Sequence, residues 1–176
     1  MAKMSAEIQE LFKKVPNVAF CTASAEGQPN ANIIGMKAII DDETIYLSDQ
    51  FFKKTLANIQ ANQKVSVLFW EGHTAYQIYG TARYINEGEE FEAQAAWVNA
   101  AFEKMGMPIK TKGGCFVTVE AVFSAAAGPM AGAQLAECGN RRLLSRSFGG
   151  GFFLASSVPH LELKSRAQVW QNPHVK

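Results

Sequence analysis

The sequence predicts a mainly β protein, an antiparallel barrel with flanking helices, and three observations support this. Runs of strand-forming residues recur between positions 18 and 124, separated by short turns rich in Gly, Pro and Asp. Strands joined by tight turns are antiparallel, and several short ones favour a barrel or sandwich over a parallel sheet. Helical periodicity is confined to three segments, and the two that interrupt the strands would cover open barrel edges.

The first part of the chain reads as a helix followed by a strand meander. Ser5 can cap a short helix that runs to Lys14, and Pro16 ends it. Turns are indicated at Glu26–Gly27 and at Asp41–Glu43. Strand-forming residues predominate between these signals, and we predict strands at 18–24, 30–40 and 44–48.

The second part alternates two helices with three longer strands. Leu56 and Ile59 share one face of a short helix, and a longer helix carries a wider apolar stripe that ends before Gly106 and Pro108. Gly72–His73 marks a tight turn between two strands. We therefore predict helices at 53–62 and 87–105 and strands at 64–70, 75–85 and 114–124.

The character of the chain changes after Gly128–Pro129, where neither helical nor strand periodicity is sustained. We predict one domain over residues 1–135 and a C-terminal extension over 136–176. The extension is compatible with a segment that wraps a partner subunit, with a hairpin, or with an ill-ordered tail, and the sequence does not choose among them.

Composition and charge exclude several functional classes. The formal net charge of +1 gives no electrostatic basis for binding nucleic acid or an anionic membrane. No apolar run approaches the roughly 20 residues that span a bilayer. Cys21, Cys115 and Cys138 lack the spacing of a disulfide framework or a zinc site, so we expect no metal and a reducing, cytoplasmic location.

The clearest local signal for binding lies at residues 48–55. Two adjacent cations, Lys53 and Lys54, stand with Thr55 at a predicted helix start, where free N–H groups and the helix dipole favour an anion. Basic residues there oppose the dipole unless a negative ligand lies between them, so a phosphate site is one explanation and a solvated first turn is the other. Lys37 lies inside an apolar strand and would either reach solvent or meet an anion.

No catalytic residue can be assigned from the sequence. His73 falls in a predicted turn, where an exposed position is the simpler explanation than a catalytic base. His160 and His174 lie in the extension and lack metal-ligand spacing. The acidic start of the long helix is explained by the helix dipole without catalysis.

Several short motifs in a fixed order give the chain a specific family resemblance. Together they resemble the pyridoxamine 5'-phosphate oxidase-like FMN-binding split barrels, and the resemblance covers about Ile8 to Ser124. Each motif is weak alone, but their order and spacing are specific. They are Val18–Asn30, Ile45–Ser48, Lys54–Asn58, Asn62–Leu68 and Tyr79–Ala82.

The resemblance implies a split, Greek-key-like β-barrel that binds FMN as a homodimer, with flavin at the subunit interface. By it, the FMN phosphate would be contacted by Lys37, Lys53, Lys54 and Thr55. The flavin ring and ribityl chain would be lined by Asn32, Ile33, Ile34, Leu47, Ser48 and Asp49, and Gln77 would supply a further polar contact. Lysines act on phosphate as point charges, which agrees with this assignment.

Departures from the family pattern argue against pyridoxamine phosphate oxidation itself. Asn32 stands where those oxidases usually present a phosphate-binding arginine, and Trp170 is not followed by their C-terminal arginine motif. We therefore expect an FMN-dependent oxidoreductase acting on an unidentified small molecule or redox partner. The alternatives are a non-enzymatic FMN-binding electron carrier and a haem- or deazaflavin-binding member of the same fold.

Overall fold

The computed structural model describes residues 1–137, and these form a mainly β protein with three helices, as predicted. The prediction of a C-terminal extension over 136–176 falls almost wholly outside the described residues. The helices are α1 (Ala6–Lys14), α2 (Lys54–Ala61) and α3 (Glu89–Lys104). The strands are β1 (Val18–Ala23), β2 (Pro29–Ile34), β3 (Lys37–Asp41), β4 (Thr44–Asp49), β5 (Lys64–Glu71), β6 (Thr74–Ile85), β7 (Gly113–Ser124) and β8 (Gln134–Glu137).

Helix α1 begins and ends as its sequence predicts. The Ser5 hydroxyl accepts a hydrogen bond from the backbone N–H of Ile8 at 3.4 Å, which caps the first turn. Ile8, Leu11 and Phe12 are buried and anchor the helix on the core. At the other end, the Lys37 ammonium donates to the backbone carbonyl of Phe12 at 2.6 Å, where a helix terminus favours a cation.

The prediction of one strand over residues 30–40 is wrong, because the chain breaks at Gly35–Met36 into β2 and β3. The two strands have different partners: β2 pairs with β1 and β3 pairs with β4. The run Ile33–Ile40 is apolar apart from Gly35 and Lys37, and its periodicity gives no sign of the break. The break sets the topology of the whole sheet.

The strands form one antiparallel sheet in the order β2-β1-β5-β6-β7-β4-β3, and β8 adds to β7 beyond this path. Strands β2 and β3 lie at opposite ends of the order, yet only two residues join them. Because two residues span at most roughly 11 Å from Ile34 to Lys37, the sheet must curl until its ends meet. The result is a split half-barrel whose seam runs beside Gly35–Met36.

The two faces of the sheet have opposite character. On β5 the concave-side residues Val65, Val67 and Phe69 are buried in the core, and alternate residues on β1, β6 and β7 join them. The outer face carries the other set, and its members are half-buried or exposed: Ala19, Cys21, Ala31, Ile33, Ser66, Leu68, Trp70, Gln77, Tyr79, Ala121 and Phe123. We call this set the outer sheet face. It is where the sheet meets solvent.

Strand β8 was not predicted, because it is four residues long and follows a turn-rich stretch without strand periodicity. It pairs with Ala121–Phe123 of β7, beyond the point where β4 stops. None of the helices within residues 1–137 combines the length and apolar character that crossing a bilayer requires.

Candidate functional site

The start of α2 is a positively charged helix terminus, and no residue in the described part of the chain neutralises it. Lys53, at the N-cap position, forms no side-chain capping hydrogen bond, and the first turn contains no acidic residue. Lys53 and Lys54 are exposed, and their ammonium groups make no hydrogen bond or ion pair within residues 1–137. By contrast, Lys3, Lys14 and Lys64 each pair with a carboxylate. The α2 start therefore has the charge and free N–H groups that bind an anion.

Thr55 follows the two lysines and is almost completely buried. Its hydroxyl oxygen accepts hydrogen bonds from the side-chain amides of Asn32 at 2.6 Å and Asn30 at 3.1 Å. Both asparagines belong to β2, so these bonds fix the first turn of α2 against the end strand of the sheet. The prediction that Asn32 and Thr55 share a site is consistent with this contact.

A second hydroxyl extends the same network toward β1. Thr22 is buried and accepts from Asn58 at 2.9 Å and from Asn30 at 3.2 Å. Thr22, Asn30 and Asn58 were not predicted as site residues. Two signals point to them: Thr22 faces Asn30 across the β1–β2 ladder, and Asn58 follows Thr55 by one helical turn.

Asp49 and Ser48 shape the loop that leads from β4 to α2. Asp49 is buried, and its carboxylate accepts from the backbone N–H of Phe52 at 2.6 Å and from the Tyr84 hydroxyl at 2.9 Å. The Ser48 hydroxyl shares a hydrogen bond with Thr111 at 2.8 Å and accepts one from Gln50 at 2.7 Å. Both predicted residues are therefore engaged inside the protein, where they position the loop.

The buried carboxylate and its apolar surroundings affect two neighbouring groups. Burial, and then the hydrogen bond to Asp49, raise the pKa of Tyr84 well above its ordinary value. Burial, with a smaller effect of the Asp49 charge, raises the pKa of the Cys115 thiol to about 12. Cys115 is therefore a neutral core residue at physiological pH, as its apolar sequence context indicates.

The contacts of the Lys37 side chain are with the end of α1 and not with the start of α2. Its ammonium donates to the Phe12 carbonyl and lies 4.9 Å from the centre of the Phe12 ring, and burial lowers its pKa. The phosphate contact of Lys37 stays a prediction. The lysine at this position is used to hold the end of α1.

The remaining predicted residues divide between the core, the exposed surface and the outer sheet face. Leu47 is fully buried, and β4 is paired on both sides, whereas Ile34 is buried at the end of β2 and Ile33 is 78% exposed. Gln77 lies on the outer sheet face, where its amide donates to Ser66 at 2.9 Å. The structure thus brings together Asn32, Lys53, Lys54 and Thr55, and separates Gln77 from them within one chain.

Residues with obvious catalytic chemistry are not gathered at this site. His73 is exposed in the turn between β5 and β6, as its sequence context predicts. Within residues 1–137, no group of three or more His, Cys, Asp or Glu side chains is placed to hold a metal ion. What the arrangement supplies is two exposed cations at a helix start, beside a network of hydrogen-bonded amides and hydroxyls.

Comparisons with known proteins agree with this fold. A family model described as pyridoxamine 5'-phosphate oxidase matches residues 4–123. An uncharacterised protein of Methanocaldococcus jannaschii is 31% identical over 134 residues, which cover 73% of this chain and 87% of that protein.

Solved structures share the same architecture. The crystal structure of HupZ from Group A Streptococcus is similar with a TM-score of 0.62 and 26% identity, covering 73% of this chain and 99% of that one. An FMN-binding protein from Syntrophomonas wolfei has a TM-score of 0.57 and 17% identity, covering 67% and 83%. Proteins of this fold also include a heme storage protein from Vibrio cholerae and an F420 reductase, at 16% and 14% identity. Below 25% identity the likeness concerns the fold alone.

Proposed function

Because the chain belongs to the pyridoxamine 5'-phosphate oxidase family, as the match over residues 4–123 shows, we propose that it binds FMN and acts as an FMN-dependent oxidoreductase. The observation that carries the proposal is the start of α2, where Lys53 and Lys54 have no counter-charge among the described residues. A phosphate monoester supplies the negative charge that this terminus lacks.

The residues at the site fit the phosphate end of FMN. The first turn of α2 begins without a side-chain cap, so its backbone N–H groups remain free to donate to phosphate oxygens. Lys53 and Lys54 add two point charges beside them. Thr55 is held by Asn30 and Asn32, so the turn is fixed before the ligand arrives and little order is lost on binding.

The flavin ring would lie along β2. As the end strand of the sheet, β2 has one backbone edge that no strand of residues 1–137 pairs, so its N–H and C=O groups can meet the polar edge of the ring. Strand β4 is paired on both sides, so Leu47 has no such free edge. The exposed side chain of Ile33 offers apolar contact to the ring beside the free edge of β2.

Bound FMN would supply hydride or electron transfer, which is chemistry of the cofactor. The chain would bind the phosphate, orient the ring and shield part of it from water. The polar network of Thr22, Asn30, Asn32, Thr55 and Asn58 contains no ionised group. It therefore holds the shape of the site without adding charge to it. No residue in the described part of the chain would therefore act as a catalytic acid or base. The residues around the ring would determine which substrate binds.

We further propose that the active form is a homodimer with flavin at the subunit interface. Gln77 lies on the outer sheet face and does not contact the α2 start of its own chain. In the proposed dimer, the outer sheet face of one subunit, with its Gln77, would cover a flavin whose phosphate is held at α2 of the other. The apolar side chains of the same face, including Trp70 and Tyr79, are exposed and suited to cover it.

The experiment that tests the cofactor is an absorption spectrum of the purified full chain, followed by titration of the cofactor-free protein with FMN. We expect flavin bands, and Lys53→Ala and Lys54→Ala should each weaken FMN binding by roughly 1–3 kcal/mol, or roughly 5- to 150-fold. The matched control is Lys13→Ala, an exposed lysine on α1 that should leave the affinity unchanged.

Other outcomes separate the alternative functions. A Soret band would indicate bound haem, and the spectrum of a deazaflavin would indicate a cofactor of that class. Either result would refute FMN as the ligand in favour of one that a protein of this fold is named for. A protein that stays colourless after incubation with FMN would refute the proposal. If FMN binds, steady turnover with a nicotinamide donor and an acceptor supports an enzyme, whereas one-electron exchange with a redox protein and no turnover supports a carrier.

A further inference from the structure

A pocket of about 310 Å³ lies at the seam of the half-barrel and is not explained by phosphate binding. One wall is the β2–β3 connection with Met36, and another is the loop after β4 with Gln50 and Phe51. The third wall comes from the C-terminal end of α3 and the segment after it, including Met105 and Met107. We call it the seam pocket.

The seam pocket adjoins both segments expected to line the flavin. Gly35 and Met36 directly follow Asn32–Ile34, and Gln50 directly follows Leu47–Asp49. The backbone N–H of Ser48 donates to the Met36 carbonyl at 2.9 Å, and the Gln50 amide donates to the Ser48 hydroxyl. These bonds hold the two segments together at the pocket wall, so its occupant would lie next to the ring.

The described residues that line the seam pocket include no ionisable side chain. Three methionines, two phenylalanines and Ile109 dominate it, with Gln50 as the polar side chain. Phe51 is 69% exposed, and Met105 and Met107 are about half exposed, so the apolar surface is open to a ligand. Lys110 and Lys112 line an adjoining groove with Asn99 and Glu103, and this groove shares Met107 and Ile109 with the seam pocket.

We propose that the seam pocket binds the second reactant, and that this reactant is a small, uncharged and predominantly apolar molecule. This inference rests on the proposed FMN site. An anionic substrate would lose hydration in the pocket without gaining a cation, which is strongly unfavourable. Flexible thioethers adapt to apolar shapes, and Gln50 can donate or accept one hydrogen bond that orients the ligand.

The test compares two probes that differ in charge on the FMN-saturated full chain, by isothermal titration calorimetry. We expect 1-naphthol to bind at least roughly tenfold more tightly than 1-naphthyl phosphate. The double variant Met105→Gln/Met107→Gln should weaken 1-naphthol binding by roughly tenfold, since it removes apolar contact. Met105→Leu/Met107→Leu should retain it, and Met130→Gln, which changes an exposed methionine outside the pocket, is the matched control.

Each further outcome has a definite meaning. Equal or tighter binding of the phosphate ester, or unchanged binding in the glutamine variant, would overturn the inference. Naphthol binding that occurs without FMN and disappears on FMN loading would assign the pocket to the flavin ring, which also overturns it. Absence of FMN binding, with the naphthol pattern intact, would refute the proposed cofactor while still supporting an apolar ligand pocket.

Discussion

Asp49 illustrates how a single buried carboxylate can position a binding loop. Its two oxygens accept from the Phe52 backbone and the Tyr84 hydroxyl, and its own carbonyl accepts from the N–H of Lys112. Three separate segments are therefore fixed at one residue, immediately before the lysines of α2. The flavin contact that the resemblance suggests for Asp49 stays a prediction, and these bonds show that the residue also positions the loop.

The raised pKa of Cys115 predicts a loss of stability in alkaline solution. In the folded protein the thiol stays protonated up to a pKa of about 12, whereas in the unfolded chain it ionises near roughly 8.5. The unfolded state then binds fewer protons, so the free energy of unfolding falls as pH rises above that value, by up to roughly 1.4 kcal/mol per pH unit. Urea denaturation at pH 8, 9 and 10 should show this decline.

The control for this prediction is Cys115→Ala, which removes the titrating group. Its stability should decline less steeply over the same pH range, although the smaller side chain lowers stability at every pH. Equal slopes for the two proteins would contradict the prediction.

At the scale of elements, Lys37 has a partner in the fold that its local sequence does not indicate. A lysine in an apolar strand indicates either an anion or a route to solvent, and the sequence does not reveal a third partner. That partner is the Phe12 carbonyl at the end of α1, 25 residues away in sequence. The contact depends on how α1 packs on the sheet, which residue periodicity does not encode.

Lys37→Met separates these two roles. We expect it to lower the free energy of unfolding by roughly 1–3 kcal/mol, because the charged hydrogen bond to the α1 terminus is lost. FMN affinity should stay within about twofold, as expected if the lysine does not contact the phosphate. The matched control, Lys53→Met, should behave in the opposite way, with weaker FMN binding and nearly unchanged stability. Denaturant unfolding and FMN titration measure both quantities.

A different outcome would restore the role that the resemblance implies. If folded Lys37→Met loses FMN affinity tenfold or more, the ammonium reaches the phosphate when the cofactor is bound.

The order of elements could be predicted from the sequence, but the closure of the sheet could not. Turn residues and apolar spacing predicted all three helices and most strands, because these signals are local. The break at Gly35–Met36 and the strand β8 were not predicted, since the break interrupts a largely apolar run and β8 is a four-residue strand without strand periodicity. At the site, the lysines of α2 carry a local signal, whereas the Thr22–Asn30–Asn58 network requires three elements to meet.

At the scale of the whole molecule, the outer sheet face leads to a prediction about assembly. Its exposed Ile33, Trp70 and Tyr79 lie on strands that span half of the sheet. We expect Tyr79→Lys to shift the protein from dimer to monomer in sedimentation velocity, because a buried unpaired cation is costly at an interface. If flavin is shared between subunits, FMN binding should weaken in parallel.

The control is Met130→Lys, which places the same charge on an exposed apolar residue away from this face. It should leave both the sedimentation coefficient and FMN affinity unchanged. A wild-type protein that sediments as a monomer while binding FMN fully would refute the shared site.

The two-residue link at Gly35–Met36 also has a consequence for folding. It keeps the two ends of the sheet order close together throughout folding, whereas the rest of the barrel closes only when β1 pairs with β5 and β4 with β7, which are contacts between distant parts of the chain. Closing such long loops costs entropy before the contacts compensate it, so the walls around the link come together late. A ligand bound there stabilises only the completed barrel. If FMN binds there as proposed, its loss would therefore remove contacts that only the completed barrel provides.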